Sequence, residues 1–390
     1  RAFSARVDDA LGRSEARGGP ARRALLRSLF AEYAALWNDA EDAGDTEALA
    51  ALQEIRPRLR LGGGQQLSVA QRLSMYVRLA LSVCVFVAGC LALVALSPLR
   101  VLHPALRRCG VPNGLLPVDF GCYLWARAVF AAAGVRVRVQ GPGAPERWGA
   151  RPCGIVVYNH ASSLDPLVVM HVCRLTAPKY VAKKVLFKYP AFGWLLLATG
   201  MVPIDRGDRE SAVQTMNETV ARIMRRWGRC VAVAPEGTRS TDGHLRLPFK
   251  KGVFHLQEHT GAPLLPVAVH GAFELWPPGQ PFALPGEVTV TILPPQRPTA
   301  GGGAAREAAR VGLQRLLAQE QARWPQGAKP LSLAGLLENA LVLLCSAAVF
   351  WQCWSLSAAA AAALGLGARS VAGLLACVAL AVSFLVDHLV

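Results

Sequence analysis

The chain has 390 residues and a mass of 41.6 kDa, a length that fits roughly two to three domain-sized units. Hydrophobic residues make up 53% of the chain and charged residues only 17%, whereas ordinary globular proteins carry roughly 25% charged residues. This composition excludes a disordered or collagen-like protein and argues against a purely soluble enzyme. It predicts a membrane protein with an attached globular domain.

The formal net charge is +16 at neutral pH. Such an excess fits anionic lipid, a phosphorylated substrate or nucleic acid. Nucleic acid is the weaker interpretation because aromatic residues are scarce and no RNA-binding signature occurs, so we expect no nucleic-acid partner. Six of the seven lysines fall between Lys179 and Lys251. This clustering predicts either a solvated basic face or an electropositive mouth, that is, a positively charged entrance to the binding site of a phosphorylated substrate.

The ten cysteines are scattered singly from Cys84 to Cys377, without a Cys-x-x-Cys pair. This spacing favours neither a disulfide framework nor a zinc site. The chain begins at Arg1 rather than at methionine, so we expect a fragment and leave a preceding targeting peptide open.

Residues 1–65 carry apolar side chains at helical spacing, with a break at Gly44 and a second short helical stretch that ends before Pro57. This pattern predicts a peripheral helical hairpin, closed by the linker Leu61–Gly64. It indicates no function for the segment. The apolar positions are Leu25, Leu26, Leu29, Phe30, Tyr33, Leu36 and Trp37.

Residues 66–114 contain 21 consecutive uncharged positions, Leu79–Leu99. As a helix, this run measures about 31 Å, which matches the hydrocarbon core of a bilayer. A buried core helix is the alternative, but the run is apolar on every face. We therefore predict a membrane helix followed by a linker.

Residues 331–390 contain two further uncharged runs, Asn339–Ala368 and Ser370–Val386, separated by Arg369. Gly365 and Gly367 supply a turn between them. These runs predict a membrane helical hairpin at the carboxyl end of the sequence, with the second arm near the lower length limit for spanning.

Residues 115–325 read as a globular α/β domain. Short apolar or alternating runs predict strands, and residues 213–227 form an amphipathic pattern that predicts a helix ended by Gly228. Because strands alternate with helices, we expect a mostly parallel sheet flanked by helices. The predicted strands are Val135–Val139, Gly154–Tyr158, Val231–Ala234, Leu264–Val269 and Glu287–Ile292.

Two of these predicted strands end directly in polar clusters, Asn159–Asp165 and Pro235–Ser240. The carboxyl ends of strands are where open α/β sheets place ligands. His160 and Asp165 lie about 140° apart on a continuous helix, so only a turn could bring them together. Taken alone, these residues favour Asp165 as the cap of a helix that begins at Pro166, with His160 as a loop residue. A capping carboxylate could still face the histidine, so the two interpretations are compatible.

Arg206 and Arg239 each follow a strand-like segment, where a guanidinium group can hold a phosphate through two hydrogen bonds. Gly237 permits close approach of the backbone to a ligand. Each arginine taken alone also fits an ordinary surface charge. The apolar stretch Pro190–Pro203 is too short to cross a bilayer, so it is an interfacial, re-entrant or core element.

The order of these motifs is more specific than any one of them, and it resembles the four motif blocks of the glycerolipid acyltransferase family. Within that family the sequence is most similar to 1-acylglycerol-3-phosphate (lysophosphatidic acid) acyltransferases. The resemblance covers about residues 115–300, and Pro203 departs from it because an aromatic residue is common there. The blocks are Asn159-His160-x4-Asp165, Gly200-x3-Ile204-Asp205-Arg206, Glu236-Gly237-Thr238-Arg239-Ser240 and Leu265-Pro266-Val267, with supporting segments Tyr180–Lys184 and Phe249–Gly252.

The resemblance implies a role for each matched residue. His160 would be the general base and Asp165 its partner, and the block around Pro266 would shape the acyl-donor side. Lys183 would be a further phosphate contact. The residues implied to bind the phosphorylated acceptor are Arg206, Glu236, Gly237, Thr238 and Arg239.

The resemblance further implies a membrane-bound enzyme that moves a fatty acyl chain from acyl-CoA to the sn-2 hydroxyl of 1-acylglycerol 3-phosphate, giving phosphatidic acid for phospholipid and triacylglycerol synthesis. Acyl-CoA is then a co-substrate, and we expect no cofactor and no metal. The expected partners are acyl-CoA, lysophosphatidic acid or a related lysophospholipid, and membrane lipid. We expect an integral membrane protein of the endoplasmic reticulum, with a plastid membrane as the alternative.

Three other functions stay open at this point. The acceptor could be another lysophospholipid or glycerol 3-phosphate. The chain could instead be a non-enzymatic basic membrane scaffold or transporter, although a transporter needs polar breaks inside several spans. A lipid or thioester hydrolase normally shows Gly-x-Ser-x-Gly, which does not occur in this sequence.

Overall fold

The computed structural model describes residues 2–14, 19–59, 69–141, 154–205, 207–280, 283–298, 302–324, 330 and 332–344. Its strands are β1 (Val135–Gln140), β2 (Ile155–Tyr158), β3 (Lys179–Lys183), β4 (Val202–Ile204), β5 (Val231–Val233), β6 (Leu264–His270) and β7 (Gly286–Ile292). These strands form one sheet in the order β1–β7–β6–β2–β5–β3–β4. The prediction of a mostly parallel sheet is confirmed, because only the β6–β7 pairing is antiparallel among the strands described.

Helices lie on both faces of this sheet. Before β1 come α1 (Ala2–Ser14), α2 (Gly19–Ala43), α3 (Thr46–Ile55), a 3-10 turn (Arg56–Leu59), α4 (Val69–Leu96), a 3-10 segment (Ser97–Leu102), α5 (His103–Arg108), a 3-10 turn (Asn113–Leu115) and α6 (Pro117–Ala133). After β2 come α7 (Asp165–Val172), a 3-10 turn (Lys184–Lys188), α8 (Phe192–Ala198), α9 (Arg209–Gln214), a π-helical turn (Thr215–Val220), α10 (Ala221–Trp227), α11 (Gly252–Thr260), α12 (Ala272–Leu275), α13 (Gly302–Arg323) and α14 (Leu333–Leu344).

The alternation of side chains along β2 produces two separate cores. Ile155 and Val157 join the core that contains α2, α11 and α13, whereas Val156 and Tyr158 join the core that contains α7 and the end of α6. All four side chains are buried. A strand covered by helices on both faces reads as a continuous apolar run, which is why the sequence pattern predicts this one correctly.

The sequence pattern predicts no strand at β3. Its residues, Lys-Tyr-Val-Ala-Lys, begin and end with lysine rather than forming an apolar run. The first of these lysines, Lys179, is buried at the amino end of the strand, where its ammonium group donates to Asp119 Oδ1 at 2.7 Å. Lys179 therefore lies at the opposite end of β3 from the predicted electropositive mouth.

The amino-terminal segment differs from the peripheral helical hairpin predicted for residues 1–65. It forms three α-helices and a 3-10 turn, and the apolar stripe of α2 is covered by α13. Phe30 and Tyr33 of α2 lie in the same buried core as Phe249 and Leu313 of the α/β domain. The predicted linker Leu61–Gly64 lies outside the described residues.

Helix α4 contains most of the apolar run predicted to cross a membrane. The continuous helical stretch Tyr76–Arg108 is long and apolar enough to do so, and only 17% of its most apolar window is buried, unlike a core helix. One face of α4 packs along α6: Trp125 Nε1 donates to the Phe86 carbonyl at 3.3 Å. Gly89 makes this approach possible, because a Cβ added there would lie 2.0 Å from the Trp125 ring.

The remaining faces of α4 expose large apolar side chains, and neighbouring apolar residues of α6 and α8 are exposed as well. They include Val77, Leu81, Val83, Val87, Leu91, Phe120, Leu124, Trp194 and Leu197. The stretch Pro190–Pro203 contains α8, whose inner side chains Leu195 and Leu196 are buried. Of the predicted carboxyl-terminal hairpin, only α14 is described, and residues 345–390 lie outside the described residues.

Candidate active site

The polar clusters predicted from the sequence meet at one edge of the sheet. Strands β2, β5, β3 and β4 are parallel neighbours, so their carboxyl ends lie side by side. His160 follows β2, Arg239 follows β5, Lys183 ends β3 and Asp205 follows β4. The structure therefore brings together segments that are up to 80 residues apart in the sequence.

Asn159 fixes the point at which the chain leaves β2. Its side-chain amide donates to the Val269 carbonyl at 2.9 Å, and its side-chain carbonyl accepts from Val269 N at 2.7 Å. These two bonds continue the pairing of β2 with β6 by one residue. The next residue, His160, is thereby turned out of the sheet at a defined place.

His160 and Asp165 are in direct contact. His160 Nδ1 lies 3.0 Å from Asp165 Oδ2, and the same oxygen accepts hydrogen bonds from Ala161 N at 2.8 Å and Ser162 N at 2.7 Å. The turn before α7 therefore closes on the carboxylate, which is how residues five apart come to face each other. Asp165 is the first residue of α7. Its side-chain oxygen Oδ2 nevertheless accepts from N–H groups of the turn before the helix and not from the helix itself.

The exposures of the two side chains differ in a way that suits an acid–base pair. The His160 side chain is 16% exposed, whereas that of Asp165 is 1% exposed. With Nδ1 facing Asp165, the ring nitrogen Nε2 remains to accept a proton. A carboxylate in this position fixes the tautomer of the ring and stabilises the imidazolium that forms when the proton is taken.

Glu236 lies beneath this pair rather than at the surface, with only 3% of the residue exposed. Its Oε1 accepts from His160 N at 2.6 Å, and its Oε2 accepts from Arg246 N at 2.7 Å. Burial raises the pKa of Glu236 to about 8, although both backbone donors lower it. Both carboxylate oxygens are engaged by the protein backbone, and the predicted contact of Glu236 with the acceptor stays a prediction.

The rest of this motif is more accessible. Thr238 and Arg239 are exposed, and Arg239 Nη1 donates to Ser163 Oγ at 2.5 Å. Gly237 adopts a φ of +74°, and a Cβ added there would meet the side chain of Lys250 at 3.2 Å. The guanidinium group is therefore tied to the same turn that holds His160.

The other predicted site residues differ in how they are placed. Lys183 is exposed at the end of β3, and its neighbour Lys184 lies 3.8 Å from Asp205. Pro266 is a buried residue of β6, paired with Val157 of β2. Arg206 lies outside the described residues.

The sequence pattern does not predict the contributions of two residues of the site, Ser163 and Arg246. Ser163 anchors Arg239, and its position in the polar cluster after β2 is a usable signal. Arg246 contributes through its backbone N–H, which no sequence pattern reveals. Ser240 belongs to a recognised motif, but its observed contribution is also a backbone bond, from its N–H to the His160 carbonyl at 2.7 Å.

Comparisons with known proteins bear on this site. Residues 136–270 match the family model described as Acyltransferase. Over 162 residues the chain is 36% identical to the 1-acyl-sn-glycerol-3-phosphate acyltransferase of Limnanthes douglasii. The aligned region covers 42% of this chain and 55% of that protein. Over 146 residues it is 35% identical to the Saccharomyces cerevisiae enzyme of the same name, covering 36% of this chain and 46% of that protein.

The crystal structure of the 1-acyl-sn-glycerophosphate acyltransferase of Thermotoga maritima covers 61% of this chain and 96% of its own, with 24% identity and a TM-score of 0.44. The chain spans about half the length of the two curated relatives. The relatives of this domain named above are 1-acyl-sn-glycerol-3-phosphate acyltransferases, so the resemblance found in the motif blocks is confirmed.

Proposed function

We propose that this chain transfers a fatty acyl group from acyl-CoA to the sn-2 hydroxyl of 1-acylglycerol 3-phosphate and so produces phosphatidic acid. One observation carries the proposal: the turn that holds the His160–Asp165 pair also anchors Arg239, through Ser163. A base and a phosphate-binding group fixed to one turn suit a substrate that carries a hydroxyl and a phosphate a few bonds apart.

In the proposed reaction, His160 Nε2 removes the proton of the sn-2 hydroxyl as its oxygen attacks the thioester carbonyl carbon. A tetrahedral intermediate forms and then collapses, and the carbon–sulfur bond breaks so that the sulfur leaves as a thiolate. The thiolate takes the proton back from the His160 imidazolium to give free coenzyme A, and the new ester remains on the glycerol. Asp165 stabilises the imidazolium between these steps. The coenzyme A thiolate is a good leaving group because a thiol has a pKa of about 8.5, so a separate strong acid is dispensable.

The proposed substrate carries its own nucleophile, so the mechanism calls for no catalytic serine or cysteine. It calls for no cofactor or metal either, and acyl-CoA serves only as a co-substrate. We assign the acceptor phosphate to Arg239, with Lys183 at the end of β3 as a further cation. Arg206, which follows Asp205 in the sequence motif, is a third candidate. A guanidinium group suits this task because its planar fork matches two phosphate oxygens.

We further propose that the protein is bound to a membrane through α4, in the endoplasmic reticulum or in a plastid. The exposed apolar faces of α4 and the exposed Trp194 and Leu197 of α8 support lipid contact, since an apolar surface of this kind is rare on soluble proteins. A lysolipid acceptor partitions into the bilayer, so an enzyme anchored there meets it without extracting it into water.

The experiment is an acceptor panel with purified protein in detergent. Labelled acyl-CoA is supplied with lysophosphatidic acid, with other lysophospholipids or with glycerol 3-phosphate, and the label is followed into the product. Incorporation that requires lysophosphatidic acid supports the proposal, whereas preference for another acceptor replaces it with the corresponding transferase. Release of free fatty acid without any acceptor would indicate a hydrolase. Absence of any reaction would favour the non-enzymatic membrane scaffold.

A further inference from the structure

The amino-terminal helices contact the loop that follows the Glu236–Ser240 motif. Arg56, in the 3-10 turn after α3, donates through Nε to Asp242 Oδ2 at 2.9 Å and through Nη2 to the Leu245 carbonyl at 3.0 Å. The side chains of Arg56 and Asp242 are only 24% and 13% exposed. Partly buried pairs of this kind are screened less by water than surface pairs. Arg56 thus holds both ends of the short segment 242–245.

A second contact joins the same two segments. His244 Nε2 lies 2.6 Å from the Leu59 carbonyl, and its ring stacks on Phe30 with centroids 4.2 Å apart and planes 6° apart. Burial lowers the pKa of His244 to about 4, so the ring is neutral at pH 7 and carries its proton on the nitrogen that faces Leu59. The loop is therefore attached to α2 and to the 3-10 turn without a buried unpaired charge.

The loop in turn holds the backbone of His160. Arg246 N and His160 N donate to the two oxygens of Glu236, and Ser240 N donates to the His160 carbonyl. Both polar backbone groups of His160 are thus bonded to residues 236–240, whose continuation is the segment that Arg56 holds. These hydrogen bonds, together with the covalent backbone of the loop, link the amino-terminal helices to the main chain of the candidate base.

We propose that helices α2 and α3 and the 3-10 turn Arg56–Leu59 act as a positioning element for the active site. Arg56 is the positioning residue, and it sets the place of His160 through the 236–246 loop. This inference rests on the proposed function. It concerns a part of the chain outside residues 136–270, so the acyltransferase family match does not supply it. The role assigned to Arg56 is indirect and passes through the loop.

The expected consequence is a loss of rate rather than of substrate binding. Removing the guanidinium group leaves Asp242 without its cation and the Leu245 carbonyl without its donor, so the loop can shift. A base that is displaced by about 1 Å costs up to about a hundredfold in rate. His160 is needed only as the proton moves, so kcat falls more than the KM of the acyl donor changes.

The test compares Arg56→Ala with two matched controls in the full chain. Arg58→Ala removes an arginine of the same 3-10 turn, whose partner Asp8 lies within the amino-terminal helices. Arg315→Ala removes an ion pair with Asp39 that joins α13 to α2 but does not reach the loop. We expect kcat to fall about tenfold or more for Arg56→Ala and to stay within about twofold for both controls, whose pairs are exposed.

Two further measurements separate positioning from simple loss of stability. The midpoint of thermal unfolding for Arg56→Ala should fall further than that of Arg315→Ala but stay above the assay temperature, so that the variant is folded when its rate is measured. Arg56→Lys should recover part of the lost kcat because it keeps one charge and one donor. Hydrogen exchange of the peptide covering residues 154–165 should be faster in Arg56→Ala than in either control. Asp242→Asn, which removes the other partner, should reproduce the kcat loss and add little in combination with Arg56→Ala.

The inference is overturned if Arg56→Ala matches the two controls in kcat, or if its loss of kcat equals its loss of folded protein. If the wild-type protein acylates no lysolipid, the proposed function has failed. Hydrogen exchange at residues 154–165 then still decides the structural linkage. Exchange that is unchanged by Arg56→Ala excludes positioning whatever the reaction.

Discussion

Asp165 Oδ2 lies in hydrogen-bond contact with His160 Nδ1 and also accepts hydrogen bonds from the backbone N–H groups of Ala161 and Ser162, in the turn between the two residues. The carboxylate cannot rotate away from the ring without breaking all three bonds. Its other oxygen, Oδ1, is buried and has no hydrogen-bond partner among the described residues. The orientation of the imidazole is therefore built into the main chain of the turn rather than left to two mobile side chains.

Replacing His160 with alanine should abolish acyl transfer while leaving folding and detergent extraction unchanged. The reason is that loss of a general base removes a factor of about 10²–10⁴ in rate. Glu236, whose pKa burial raises to about 8, is poorly placed to replace His160 because it is buried and both of its oxygens accept from backbone N–H groups. The measurement is incorporation of labelled acyl chain at saturating substrates. Retention of more than a few per cent of the wild-type rate would show that His160 is not the base.

Asp165→Asn serves as the companion variant. An asparagine oxygen can still accept the two backbone N–H bonds and orient the ring, but it does not stabilise the imidazolium charge. We expect a loss of rate that is clear but smaller than that of His160→Ala. A rate equal to wild type would mean that Asp165 is only the cap of the turn.

Much of the α/β domain could be predicted from the sequence because each observed strand predicted there is an apolar or alternating run. β3 escaped because one of its terminal lysines, Lys179, is buried by pairing with Asp119, a contact 60 residues away. The inward position of Glu236 escaped for a similar reason. A carboxylate in a loop motif suggests a ligand contact, and the sequence does not show that its oxygens also accept from the backbone N–H groups of His160 and Arg246.

The amino-terminal helices show the same limit. Periodicity identifies the apolar stripe of α2, but it cannot tell which element covers the stripe. The covering element is α13, and the buried hydrogen bond from Gln314 to Asn38, 276 residues apart, confirms the contact. Sequence therefore predicts which face of α2 is buried, while its function as part of the domain emerges only from the structure.

Asp119→Asn should destabilise the protein strongly. The carboxylate of α6 pairs with Lys179 and Arg229, both at 2.7 Å, and all three groups are buried. Breaking a buried ion pair leaves its partners charged and unpaired, at a cost of about 3–5 kcal/mol in the free energy of unfolding. Thermal and urea unfolding in detergent measure this. Asp8→Asn, which removes an exposed pair with Arg58, should cost at most about 1 kcal/mol.

The same cluster gives a pH dependence with a definite sign. Burial alone would raise the pKa of Asp119, but Lys179 and Arg229 outweigh it and lower the value from 3.8 to about 2. The unfolded chain then takes up a proton before the folded protein does, so the stabilisation is complete above about pH 4 and is lost toward pH 2. Asp119→Asn should lack this acid loss. Identical acid unfolding of wild type and variant would contradict the assignment.

Glu236 should produce a dependence of the opposite sign. Burial raises its pKa to about 8 from the ordinary value of 4.5, so the folded protein holds this proton more tightly than the unfolded chain does. Its contribution is therefore complete below about pH 4.5 and is lost as the pH rises to about 8. Urea unfolding of wild type and Glu236→Gln at several pH values measures this. The wild-type protein should lose stability relative to the variant across that window, and parallel curves would refute the expectation.

Membrane attachment should depend on the exposed face of α4. We expect the protein to stay in the membrane pellet after carbonate washing and to need detergent, and deletion from residue 331 onward should leave this behaviour unchanged. Val83→Lys with Val87→Lys should weaken attachment, because each lysine costs about 2.5–3.5 kcal/mol at the centre of an inserted helix. Ala51→Lys, on the exposed face of α3, is the matched control. Recovery of wild-type protein in the carbonate supernatant would exclude integral insertion.

Arg239→Lys should weaken acceptor binding while sparing the acyl donor. The substitution keeps the charge but replaces a planar fork with a point contact, at a cost of about 1.5–3 kcal/mol for a lost hydrogen bond to a charged group. That energy corresponds to a roughly ten- to hundredfold lower kcat/KM for lysophosphatidic acid, and Arg239→Ala should be worse. Ser163→Ala, which removes only the anchor of the guanidinium group, should fall between wild type and Arg239→Lys. Steady-state kinetics with each substrate varied in turn provides the measurement. If both Arg239 variants raised the KM of the coenzyme A thioester and spared the acceptor, the loop would bind the nucleotide end of the donor instead.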